Sequence, residues 1–145
     1  MADAQAVQTF FSGTYTHTLD TKGRVSLPAK FRKDLPVSLK LVPRDGVIYL
    51  FPVDDFNAWV MSFFPQTDGK PNPASKADRK TLFSLTSHAE DTEIDTAGRI
   101  SISAGLRQMA SLEKEVKVVG LFDHIEIMSP ASYEALDDGS DEGEE

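Results

Sequence analysis

Asp20-Thr21-Lys22-Gly23-Arg24-Val25-Ser26-Leu27-Pro28-Ala29-Lys30-Phe31-Arg32 returns, without a gap, as Asp95-Thr96-Ala97-Gly98-Arg99-Ile100-Ser101-Ile102-Ser103-Ala104-Gly105-Leu106-Arg107. Seven of the thirteen positions are identical, and Val25/Ile100, Leu27/Ile102 and Phe31/Leu106 keep their apolar character. Further on, Ile48-Tyr49-Leu50-Phe51 returns as Ile125-Glu126-Ile127-Met128, and Phe56 as Tyr133, with two extra residues inside the second copy. Identity and hydrophobic pattern agree over the whole unit, which marks a duplicated structural element.

Each copy reads β-β-α-β-β. Residues 14–19 alternate and are rich in Thr and Tyr, as strands are. Asp-x-x-Gly then supplies turn chemistry: the Asp side chain caps its own loop and Gly accepts a positive φ. Residues 24–27 form the return strand of a hairpin, and Pro28 suits the first position of a short helix over 29–34. Residues 38–42 and 47–51 make a second hairpin across Arg44-Asp45-Gly46. The second copy repeats the pattern with strands at 92–95, 99–103, 116–121 and 124–128 and a helix at 106–110.

Four short strands cannot bury two faces alone. The expected fold is therefore α+β, with two pseudo-symmetric units closing on one another into a small β-barrel. The units span 14–55 and 89–132, joined by a helical connector over 56–88. Leading into and through the connector, Val53, Phe56, Trp59, Val60, Phe63 and Phe64 fall at helical spacing, Pro65 ends that helix, and a second helix runs from Ser75 to about Thr86. The stretch 137–145 reads as an acidic disordered tail.

The 145 residues, 40% of them hydrophobic, suffice for a packed core. With no cysteine, disulfides and thiolate-held zinc are excluded and a reducing compartment is expected. No stretch has the length of a membrane-spanning helix, and Met1 to Thr9 lack a signal-peptide pattern. A cytoplasmic protein without a membrane partner is expected.

The net charge of −8 argues against nucleic acid until its distribution is considered. Six acids and no base lie in 137–145, so the rest of the chain carries −2. Between Ser12 and Arg44 seven bases face two acids, a local +5, whereas four bases face eight acids in 89–132, a local −4. Screening makes a phosphate backbone respond to the nearby surface, within about 8–10 Å.

Phe10-Phe11-Ser12-Gly13, Leu19 through Pro28, Asp95 through Ile100 with Leu106-Arg107, Val118-Val119-Gly120 and Ile125-Glu126-Ile127 together resemble the MraZ family. The resemblance runs from about Phe10 to about Tyr133. It implies two SpoVT/AbrB-type domains in one chain, ring-shaped homo-oligomers, and sequence-specific regulation of transcription from a nucleoid-associated position. The implied target is double-stranded DNA carrying short G-rich direct repeats upstream of the cell-division and cell-wall gene cluster. The chain departs from the family pattern in its nine leading residues, its acidic tail, and the replacement of Lys22, Pro28 and Lys30 by Ala97, Ser103 and Gly105.

The resemblance links the Arg of the first Asp-x-x-x-Arg, here Arg24, to DNA. A two-stranded ribbon fits the major groove, and Arg pairs bidentately with guanine O6 and N7. Arg24 and its counterpart Arg99 are the expected base readers, with Lys22 on phosphate. Lys30, Arg32 and Lys33, on the short helix, are further phosphate candidates. Arg107 has only the repeat to recommend it. Asp20 and Asp95 are hairpin-turn residues that also orient the neighbouring Arg, and Gly23 and Gly98 are structural.

Enzyme readings lack their constellations. Asp95-Thr96-Ala97-Gly98 matches the Asp-x-x-Gly switch of GTPases, but no phosphate-cradling Gly-x-x-x-x-Gly-Lys-Ser/Thr loop exists. His17, His88 and His124 show no metal-ligand spacing, and there is no Gly-x-Ser-x-Gly elbow. No enzyme activity, metal or cofactor is expected. The alternative to a DNA-binding regulator is an oligomeric scaffold or protein-interaction module that uses the acidic surface.

Overall fold

A computed structural model describes residues 10–138. In chain order the elements are β1 (Phe11–Thr18), β2 (Arg24–Ser26), α1 (Ala29–Arg32), β3 (Ser38–Arg44), β4 (Val47–Pro52), α2 (Val53–Met61), α3 (Lys76–Thr86), β5 (Glu90–Glu93), β6 (Arg99–Ser101), α4 (Ala104–Met109), β7 (Glu115–Phe122), β8 (His124–Met128) and α5 (Pro130–Asp137). One turn of 3-10 helix, Pro65–Thr67, follows α2. The protein is α+β, as expected.

The strands choose partners that alternation could not specify. Six of them form one antiparallel sheet in the order β1-β7-β8-β4-β3-β5, and β2 pairs with β6 in a separate two-stranded ribbon. The hairpin expected between 14–19 and 24–27 is therefore not a ladder. Asp20 N–H donates to Arg24 O (2.9 Å), and Leu19 N–H already donates to Lys114 O (2.8 Å), continuing β1 onto β7. The same holds in the second copy, where β5 pairs with β3. Nor is a closed barrel present among the described residues. The long sheet ends at β1 on one side and at the four-residue β5 on the other.

The β3–β4 hairpin turns as expected, with Asp45 (φ 54) and Gly46 (φ 80) between the paired Arg44 and Val47. Positive φ at both positions is the I′ geometry that follows strand twist. In the equivalent β7–β8 turn, Phe122 takes φ 68 and its exposed ring stacks on Phe10, with centroids 4.2 Å apart.

The long sheet is apolar on both faces. Leu39, Leu41, Ile48, Leu50, Val116, Val118, Ile125 and Ile127 point to one side, where Val25 and Ile100 of the ribbon, Phe31 of α1 and Leu106 of α4 complete the main core. On the other side, Val42 and Phe51 meet Phe56 of α2, with Tyr49, Trp59 and Val60 packed around them. Val47, Val119 and Met128 meet Tyr133 of α5. This second layer also buries Glu126, whose carboxylate lies 2.8 Å from His124 Nε2, while Asp123 lies 2.9 Å from Nδ1. Burial disfavours the imidazolium, but the two carboxylates outweigh it and raise the His124 pKa above the ordinary histidine value.

Two helices were expected between the copies, and α2 and α3 supply them. The fifth helix, α5, was not expected. Ser129 caps it, accepting from Ser132 N–H (3.1 Å), and Pro130 occupies its first turn. It carries the chain through Asp137, so the stretch expected to be disordered begins inside a helix, and residues 139–145 lie outside the described residues.

Candidate nucleic-acid interface

The two turns that carry the repeated motif share one backbone design. Asp20 Oδ1 accepts from the N–H groups of Lys22 (2.9 Å) and Arg24 (2.8 Å), and Asp95 Oδ1 accepts from those of Ala97 (2.9 Å) and Arg99 (2.9 Å). Each Asp thus closes its own loop, as its turn preference suggested. These donors, first the backbone N–H of Arg24, hold the Asp20 carboxyl at about 2, well below the usual aspartate range. Asp95 is lowered as well, first by the backbone N–H of Arg99.

The second oxygen of each carboxylate holds an arginine. Arg24 Nε donates to Asp20 Oδ2 (2.8 Å), and Arg99 Nε to Asp95 Oδ2 (3.2 Å). With Nε engaged, Arg24 keeps its outer Nη edge for another acceptor, and Arg99 does so with Nη1 4.0 Å from Asp20 Oδ2. That edge is the planar two-donor fork that matches guanine O6 and N7.

Pairing of β2 with β6 brings the two arginines into one surface. The register sets Arg24 opposite Ser101, Val25 opposite Ile100 and Ser26 opposite Arg99. Val25 and Ile100 point inward and are buried. Arg24, Ser26, Arg99 and Ser101 therefore share the outward face, with the arginines on a diagonal. Diagonal neighbours on antiparallel strands lie roughly 7–8 Å apart. The exposed face of the ribbon is thus almost entirely side-chain hydrogen-bond donors and acceptors.

The turns also clamp one another. Leu27 N–H donates to Gly98 O (3.0 Å) and Ile102 N–H to Gly23 O (2.9 Å), so each copy's turn is held by the strand end of the other. Arg32 Nη1 donates to Leu27 O (2.8 Å) and Arg107 Nε to Ile102 O (3.0 Å). Both guanidiniums lie over the opposite copy's glycine. A Cβ at Gly98 would sit 2.5 Å from Arg32 Nη1, and one at Gly23 would sit 2.6 Å from Ile102 O and 2.9 Å from Arg107 Cζ. Gly23 (φ 81) and Gly98 (φ 79) are needed for backbone conformation and for this close approach.

The expected site residues are thereby sorted. Asp20, Gly23, Arg24, Asp95, Gly98 and Arg99 converge on the ribbon. Arg32 reaches it from below, its side chain committed to Leu27 O. Lys22 stands exposed at the first turn. Lys30 and Lys33 are exposed on α1, and Lys30 Nζ lies 3.2 Å from Ser12 O. Two further bases of the +5 stretch lie elsewhere. Lys40 pairs with Asp91 (2.6 Å) and lies over Phe56, while Arg44 lies over Trp59 and Phe63, all on the α2 side of the long sheet. The clamp role of Arg32 and Arg107 was not anticipated. Its signal was the identity of these two positions at the end of the repeat.

Among the described residues, no group of His, Asp or Glu is arranged to hold a metal ion, and no helix is long and apolar enough to cross a membrane.

The family described as "MraZ protein, putative antitoxin-like" matches residues 10–63 and 85–143. The chain is similar to the transcriptional regulator MraZ of Limosilactobacillus reuteri, with 40% identity over 81% of this chain and 80% of that protein. It is also similar to the proteins of the same name from Corynebacterium urealyticum (35%, 86% and 84%) and Mycoplasmoides gallisepticum (35%, 90% and 89%).

Proposed function

Because this chain belongs to the MraZ family, whose relatives are named transcriptional regulators rather than enzymes, we propose that it regulates transcription by reading DNA with the β2–β6 ribbon. One observation carries the reading: the ribbon sets Arg24 and Arg99 side by side, each pinned at Nε by its own Asp. A preorganised arginine loses less freedom on binding than a free one. A two-stranded ribbon enters the major groove, where such a fork distinguishes guanine. Lys22, Lys30 and Lys33 act on phosphate, while Arg32 and Arg107 hold the site together.

The finer reading includes two pseudo-twofold-related units. In its support, the β1–β7 and β5–β3 pairings exchange under the repeat, as do β3–β4 and β7–β8, while β2–β6 and β4–β8 map onto themselves. The proposed target is a set of short G-rich direct repeats before the cell-division and cell-wall gene cluster. The protein acts there in the cytoplasm, at the nucleoid, as a closed homo-oligomer.

Two measurements test this. Selection from a random duplex pool yields a G-containing consensus whose affinity falls log-linearly with salt, by about 0.9 per phosphate neutralised. Recovery of no consensus, or salt-independent binding, overturns the reading. Light scattering after size exclusion returns a mass several times 15.9 kDa; a monomer at micromolar concentration removes the assembly from it.

A further inference from the structure

The two carboxylates at the ribbon are not equivalent. Asp95 Oδ2 meets only its own Arg99 within salt-bridge range, at 3.2 Å. Asp20 Oδ2 meets its own Arg24 at 2.8 Å and also lies 4.0 Å from Nη1 of Arg99, the arginine of the other copy. Among the described residues no corresponding ion pair joins Arg24 to Asp95. Arg99 is therefore drawn at Nε by one acid and at Nη1 by another, whereas Arg24 answers to Asp20 alone.

Resting on the DNA-reading function above, we propose that Asp20 is a cross-copy positioning residue, aligning Arg24 and Arg99 together so that the ribbon reads two bases as one unit. The Asp20 Oδ2 that hydrogen-bonds Arg24 also attracts Arg99 Nη1 through charge at 4.0 Å, which biases the relative placement of the two guanidiniums. Bidentate recognition requires that placement, because each fork has to meet O6 and N7 in the plane of its own base. Asp95 aligns one arginine only. The two arginines and two aspartates also cancel in formal charge, so the cluster serves base discrimination while the surrounding lysines supply salt-dependent attraction.

The division of labour within Asp20 permits a clean test. Oδ1 closes the turn and Oδ2 positions the arginines. In Asp20→Asn the amide oxygen still accepts the two backbone N–H groups, while an NH2 donor replaces the acceptor that faced Arg24 and Arg99. Asp95→Asn makes the same change for Arg99 alone.

The experiment measures affinity for a pool-selected duplex and for a scrambled duplex of equal length, at one salt concentration, alongside thermal melts. D20N is expected to lower the ratio of the two affinities by about tenfold or more, within the ~5–150-fold that 1–3 kcal/mol of discrimination represents. D95N is expected to lower it by about threefold or less on the same scale. In an R99A background the effect of D20N shrinks, because one of its two clients is gone. Equal effects of D20N and D95N, or strict additivity of D20N with R99A, overturn the proposal. Should D20N melt early, the cycle in the R99A background still decides, since a loss of fold common to both backgrounds cancels. Failure of the DNA reading itself is seen separately: a folded R24A protein that keeps the full affinity ratio removes the premise, whatever D20N does.

Discussion

The first Asp-x-x-x-Arg turn and the second share one backbone design and differ in the charge they carry. Both close through the same Asp oxygen, both place Gly at φ near 80, and both receive a guanidinium from the opposite copy onto that Gly. Their differences lie in side-chain charge. Lys22 stands where the second copy has Ala97, and the sequence around Arg24 is net basic where that around Arg99 is net acidic. Both copies keep the Asp, Gly and Arg that build the turn, and they differ in the charge of a position between Asp and Gly.

The comparison is broken most directly at the arginines. Removal of Arg24 is expected to cost about 1–3 kcal/mol of discrimination per contact and, repeated around an assembly, to bring binding close to abolition. Arg99→Ala is expected to cost less. Fluorescence anisotropy with the selected duplex, together with melts, measures both. Equal losses at unchanged melting temperature make the two turns functionally identical.

A second test exchanges function for stability. Alanine at either glycine forces a left-handed conformation worth about 1–3 kcal/mol of strain. At Gly23 the new Cβ also meets a fixed carbonyl, Ile102 O, at 2.6 Å, whereas at Gly98 its three nearest atoms all belong to the movable Arg32 side chain. Gly23→Ala is therefore expected to lower the melting temperature more than Gly98→Ala. The reverse order makes Arg32, rather than the backbone, the rigid part of the clamp.

Much of this was legible in the sequence. Asp45-Gly46 announced its turn, Pro28 its helix start, and the thirteen-residue repeat located Arg24 and Arg99. Partner choice was not legible. Alternation along 14–19 says that one face of a strand is buried, and both β2 and β7 offered an apolar face to receive it. The closed barrel was expected because four short strands cannot bury two faces alone, and the open sheet meets that need with the ribbon, α1 and α4 on one face and α2 and α5 on the other. The helix α5 had a signal, Ser129 before Pro130, obscured by a polar run with weak periodicity. At the site, the second role of Asp20 depends on an arginine 79 positions away, a pairing that spacing does not encode.

Smaller effects sharpen the contrast. Lys22→Ala is expected to reduce the salt slope of binding by about 1, with little change in base preference, and Ala97→Lys to raise the slope by a similar amount. A salt titration of each variant checks this, and an unchanged slope places Lys22 off the phosphates.

The smallest effect is an acid one. Both carboxyls are depressed in the folded chain, so their contribution to stability is complete above the ordinary aspartate value and declines as pH falls through the folded value, about 2 for Asp20. Asp20 is the more strongly held, so NMR titration is expected to show Asp95 protonating first on the way down. Coincident midpoints remove this difference between the turns.

The pairing of β1 with β7 has a consequence for biosynthesis. Thr16 meets Lys117, 101 positions later, through a side-chain hydrogen bond as well as the strand ladder. At about 5–20 residues per second, the ribosome leaves β1 without its neighbour for about 5–20 s. During that interval β2 also lacks β6, and the first copy is a nascent segment with its strand edges open. Long-range pairings of this kind raise contact order and slow folding. The emerging first half is thus the stage at which this chain is most exposed to pairing with a neighbour on the same polysome, and at which a chaperone has most to protect.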